Sequence, residues 1–172
     1  MSHHIRIATE SGEFPYVRNM VDLERKERVW NAVIRGAQER LEAARERFET
    51  LRQSLESEGK STAGDKHETG RAMVQQEMER AAADVNQAEE LLRNVMRPLP
   101  AKSLAAQWGS WVVLDSGEVV IAAALGAIDL PWGRVQVISP ASPLAQALLQ
   151  AQARPGTEVS VNGRVVRVRS VS

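Results

Sequence analysis

Asp65 and Glu68 stand three residues apart in KSTAGDKHETGRAM, residues 60–73, where small residues interrupt two long helical patterns. Side chains at i and i+3 share one face of a helix, so the two carboxylates can converge on one ion or on its bound waters. Hard Mg²⁺ prefers carboxylate oxygens, and two-metal hydrolysis of a phosphodiester needs an ion held beside the attacking water. Two carboxylates about 7 Å apart repel by only roughly 0.6 kcal/mol in water. The pair would therefore hold Mg²⁺ weakly alone, with a partner's phosphates completing the sphere. The same spacing is a variant of the capping box, in which Asp65 accepts from backbone N–H groups and Glu68 reaches back. Acids there also suit the helix dipole, so spacing alone leaves both roles open. His67, beside them, reads as a solvent-exposed bystander.

Two helices must position that turn. From Leu23, apolar residues recur in alternating steps of four and three: Ile34, Leu41, Phe48 and Leu55 fall at heptad position a, and Trp30, Ala37, Ala44 and Leu51 at d. A second seam runs Val74, Met78, Ala81, Val85, Ala88, Leu92 and Val95, and stops before Pro98 and Pro100. Each stripe is narrow, so each helix needs a partner, and the nearest is the other. The expectation is an antiparallel coiled-coil hairpin over residues 20–98 with its tip near 59–68, where Gly59 suits a helix end and Gly64 an irregular turn. A turn about Thr62 and Ala63 sets Ala44 opposite Ala81, Ala37 opposite Ala88 and Trp30 opposite Val95. A shift by one heptad would also align the seams, but the placing of Gly59 and Gly64 favours this register over its neighbours. The arms would be about 35 residues, roughly 50 Å long. Residues 1–19 lack a sustained period and read as a disordered leader or a cloning remnant, with His3 and His4 too poorly fixed to set a metal geometry.

Beyond Ala101 the texture changes. SWVVLDSGEVVIAAAL reads as two strands, WGRVQVIS as a third, and EVSVNGRVVRVRSV as a hairpin about Asn162 and Gly163. SPLAQALLQAQ opens a short helix with Ser142 as N-cap and Pro143 at the first helical position. Residues 101–172 thus form a small domain with an antiparallel sheet and one helix, and the chain as a whole is α+β. Trp108, Trp111 and Trp132 read as packing residues, since they lack the basic neighbours of a nucleic-acid stacking platform. Arg167 and Arg169 alternate with Val166 and Val168 as a solvated strand face.

Composition narrows the function. The 172 residues balance 22 Lys and Arg against 22 Asp and Glu, which argues against bulk electrostatic binding to nucleic acid or anionic lipid. Without cysteine there is no disulfide or thiolate site. With no secretory segment or apolar span, the expected location is the cytoplasm, and the expected state a monomer.

A coiled-coil hairpin, an acidic turn and a small α+β domain whose helix opens with Ser-Pro together resemble the Gre family of bacterial transcript-cleavage factors. The likeness covers residues 20–172. Gly64, Asp65 and Glu68 match the family's G-D-x-x-E turn, and Ser142, Pro143, Leu144, Ala145, Ala147, Leu148 and Leu149 fit its S-P-I-A-x-A-L-(I/L)-G stretch, with Gln150 where glycine is usual. After the acidic pair the family runs E-N-x-E-Y, whereas this chain runs Glu68, Thr69, Gly70, Arg71, Ala72, the pattern of a divergent member. The resemblance implies a C-terminal domain like the FK506-binding proteins, docking on RNA polymerase through the region of Ser142 and Pro143. It implies a hairpin that enters the polymerase's secondary channel, where Asp65 and Glu68 help hold a shared Mg²⁺ while the polymerase hydrolyses backtracked RNA near its 3′ end. On that reading the protein is an accessory factor and not itself an enzyme. Three alternatives are a channel-binding regulator without cleavage, a prolyl isomerase, and an adaptor. The second is disfavoured because residues 101–172 contain no Phe or Tyr.

Overall fold

A computed structural model describes the backbone of residues 15–59, 67–101 and 103–172, and the side chains of 24–57, 70, 72–101 and 103–172. Helix α1 spans Pro15–Gly59 and helix α2 spans His67–Val95. The turn between them lies outside the described residues, as do residues 1–14. Residues 15–19, expected to belong to the leader, are helical. Pro15 accounts for this: its fixed φ suits the first position of a helix, where no N–H partner is needed. At the other end α2 stops three residues before Pro98, with Arg93 in its last turn to suit the dipole.

The helices run antiparallel, tied by ion pairs from Arg45 to Glu89 at 2.7 Å and from Arg47 to Asp84 at 3.7 Å. These pairs correct the expected register, which set residue 45 level with residue 80. A small cleft between the arms is lined by both Ala44 and Ala88, so the offset is about one heptad. Two heptad seams match equally well after a shift of seven, so the pattern alone does not choose between them. At the base of the rod Trp30 meets Trp108 edge to face, with ring centroids 5.5 Å apart.

The second domain is a six-stranded sheet: β1 (Trp111–Leu114), β2 (Gly117–Ile121), β3 (Gly126–Leu130), β4 (Gly133–Ile138), β5 (Glu158–Val161) and β6 (Arg164–Val171). The order across it is β3-β4-β2-β1-β6-β5. Two expectations are corrected. The strand GAIDL, β3, was not foreseen among the five expected, and the sheet is not wholly antiparallel, since β2 and β4 pair in parallel. The two corrections share a cause. The chain leaves β2 for the edge, forms β3, and returns through the Pro131-Trp132 turn as β4 between them, which points β4 the same way as β2. The β5–β6 turn is as expected, with Asn162 at φ 51° and Gly163 at φ 76°, the left-handed pair an Asn-Gly hairpin requires.

Side chains alternate across the pleat into two cores. On one face Val112, Leu114, Val119, Ile121 and Val168 meet Ala145 and Leu148 of α3 (Pro143–Gln150). On the other, Trp111, Val120, Val135 and Val137 meet Val29, Trp30, Val33 and Ala37 of α1 and Val95 of α2. Val29 and Val33 lie off the coiled-coil seam. They are buried because α1 faces the sheet as well as α2, so the rod and the sheet share one core.

Candidate functional site

Of the two acidic residues singled out by spacing, Asp65 lies outside the described residues, and Glu68 is the second residue of α2. That places the Glu68 backbone in a first helical turn, where the helix dipole favours a negative charge. Among the described residues no three of His, Asp and Glu gather as a metal site.

The other two candidates, Ser142 and Pro143, sit at the start of α3. Ser142 is the N-cap, with φ −68° and ψ 148°, and its Oγ accepts from the Ala145 N–H at 3.3 Å. Pro143 follows at the first helical position and is exposed. The cap satisfies an otherwise orphaned donor and fixes the entry angle of α3, whose Ala145 and Leu148 then drop into the core. Ser142 therefore has a local structural role, while Pro143 presents its ring to solvent.

The first arm of the hairpin is braced along its exposed surface. Near the end of α1, Arg52 bonds to Glu49 and Glu56, and Gln53 donates to Glu49 at 3.0 Å. Hydrogen bonds from Arg52, then from Gln53, lower the Glu49 pKa from its ordinary 4.5 to about 2. At the base, Arg40 Nη1 donates to the Ala124 carbonyl at 2.8 Å, and the Arg97 guanidinium lies 4.6 Å from the centre of the Trp108 ring. Arg25 stands over Trp132 at 5.7 Å. Trp111 is buried and donates its indole N–H to Glu118 at 3.1 Å. All three tryptophans of the second domain thus pack against, or sit within, the core shared with α1, as their sequence context suggests.

Sequence reasoning missed the fastening of α1 to the sheet. At Gly36 the helix passes beside Leu125 and Ile128, and Arg40 adds the bond to Ala124 one turn on. The available signal was a widening of the apolar stripe at Val29 and Val33, beyond what a two-helix seam needs. Arg167 pairs with Glu158 on the solvated side of the β5–β6 hairpin, and its backbone N–H donates to Asp115 at 3.2 Å.

No helix among the described residues is long and apolar enough to cross a membrane. No protein-family model matches the sequence, and neither does any curated protein. Among solved structures the chain is distantly similar to that of the transcription factor Gfh1, at 26% identity over 81% of this chain and 93% of that one, with a TM-score of 0.36.

Proposed function

We propose that the protein is a Gre-like elongation factor that binds bacterial RNA polymerase through its secondary channel and stimulates cleavage of backtracked RNA. The observation that carries this reading is the form of the hairpin: two antiparallel helices, anchored at one end on a sheet, with Glu68 in the first turn of the second helix beyond the far end. From Arg40, where α1 last bonds to the second domain, nineteen further residues run to Gly59, roughly 30 Å of projecting helix. A rod about one helix pair across suits a channel, and the Glu68 backbone lies in the first turn of α2 at the end away from the sheet.

On this proposal the factor acts in the cytoplasm as a monomer and is no enzyme alone. Asp65 and Glu68 would hold Mg²⁺ jointly with the polymerase; when bound, that ion supplies positive charge and an ordered water. Their own part would be to offer two carboxylates three residues apart in the sequence, at and just before the start of α2. The start of α3, with the half-buried Ser142 and the exposed Pro143, would dock at the rim of the channel.

The test is the length of RNA in stalled, backtracked complexes with and without the protein. Shortening should fall roughly a hundredfold in Asp65→Ala and Glu68→Ala, the scale of removing one charge-stabilising group, with polymerase binding retained. Undiminished shortening in both variants would sink the proposal. Arg71, three residues past Glu68 where the family has further acidic character, favours a second reading: a channel-binding regulator that suppresses synthesis. Binding by the wild-type protein with no shortening at all would select it.

A further inference from the structure

Helix α1 and the edge strand β3 flank an open groove of about 660 Å³. Ala32 and Gly36 on the helix, with Leu125, Ile128 and Leu130 on and beside the strand, give it apolar surface. β3 is the last strand of the sheet, bonded on one side to β4. Alternate residues of an antiparallel edge strand turn N–H and C=O outward, and among the described residues nothing outside the ladder bonds to the backbone of Gly126–Leu130. The groove therefore exposes a row of unsatisfied backbone groups.

Its opposite wall carries Arg28 and Arg35, two turns apart on α1 and about 10 Å from each other along the axis. Neither makes a hydrogen bond or ion pair with any described residue. The other charges are Asp129, held by Arg134 at 2.8 Å, and Glu39. Because Arg25 lies by Trp132 and Arg40 by Ala124, α1 runs opposite to β3, which puts Glu39 toward the Leu125 end and Arg28 toward Pro131. Free positive charge thus collects along the Ile128–Pro131 half.

We infer that this groove binds an extended, acidic peptide segment of a partner protein, which adds to the sheet as a strand beside β3 while its carboxylates meet Arg28 and Arg35. Main-chain bonds to the edge would supply affinity without side-chain selectivity, and the arginines would select for acid through forked hydrogen bonds. The inference is independent of any action at the hairpin tip.

The probe is a fluorescein-labelled peptide of about nine residues that alternates valine with glutamate, as an extended strand requires. In anisotropy titrations with the full chain it should bind, and more weakly as salt rises. Arg28→Ala with Arg35→Ala should weaken binding at least tenfold, the scale of losing charge-assisted hydrogen bonds. Ala127→Pro, which removes an outward N–H at an edge position that tolerates proline, should do so too. As a measurement free of variants, amide exchange at Ala127 and Asp129 should slow when the peptide is added. No binding, equal binding of a lysine-for-glutamate peptide, or unchanged binding by the double arginine variant would each overturn the inference. So would sedimentation showing that the groove is instead filled by a second copy of the chain.

Discussion

Single residues on the rod report whether it is stiff. Glu49 has the clearest signature, its carboxyl lowered to about pH 2 by Arg52 and Gln53 although it is exposed. A depressed carboxylate contributes stability that is present above its unfolded value near 4.5 and is lost as pH falls through the folded value near 2. Carbon-detected NMR should follow that titration in the folded protein, and Arg52→Ala should return the midpoint toward the ordinary range. A midpoint indifferent to Arg52 would mean the ladder does not persist in solution. Gly36 makes a second residue-scale prediction. An added Cβ would lie 3.7 Å from Ile128 Cδ1 and 3.8 Å from Leu125 Cδ1, which is ordinary contact. Alanine is favoured over glycine in a helix interior by roughly 0.5–1 kcal/mol, so Gly36→Ala should raise the melting temperature by a few degrees. A lower value would show that the helix and strand need a closer approach than these distances imply.

At the level of elements, α3 depends on its cap. Ser142→Ala should destabilise the protein by about 1 kcal/mol in urea unfolding, and Ser142→Asp, another good cap, should recover most of it. Leu148 is fully buried beneath the same helix, and Leu148→Ala should cost about 2–5 kcal/mol. If polymerase binding follows the cap in both Ser142 variants, the hydroxyl acts by holding α3 in place and not by contact. These elements were also the most legible from sequence, because their signals are local: heptad steps for α1 and α2, Ser-Pro for α3, Asn-Gly for the last hairpin. β3 was hidden since GAIDL is short, begins with glycine and carries an exposed Asp129, so its strand character comes from pairing with β4. The parallel β2–β4 contact and the offset of the arms escaped for the same reason. Both depend on partners distant in sequence, and a heptad pattern cannot distinguish registers seven residues apart.

Across the whole molecule, α1 serves as a spine. Its first half covers one face of the sheet through Val29, Trp30, Val33 and Ala37, and its second half leaves that core as one arm of the rod. Composition foreshadowed this division poorly, since the two halves differ only in the width of an apolar stripe. The acidic pair was legible as a pattern of types and spacing, while Asp65 itself lies outside the described residues. The central claim is that the end of the rod reaches the catalytic centre of RNA polymerase. A photo-crosslinking amino acid at position 66, between Asp65 and Glu68, tests it most directly in complexes stalled on radiolabelled RNA. The account predicts crosslinks to the polymerase active centre and to the RNA 3′ end, absent when the probe is moved to an exposed β5 position such as Ser160. Crosslinks only to the outer surface of the polymerase, or equal labelling from both positions, would contradict it.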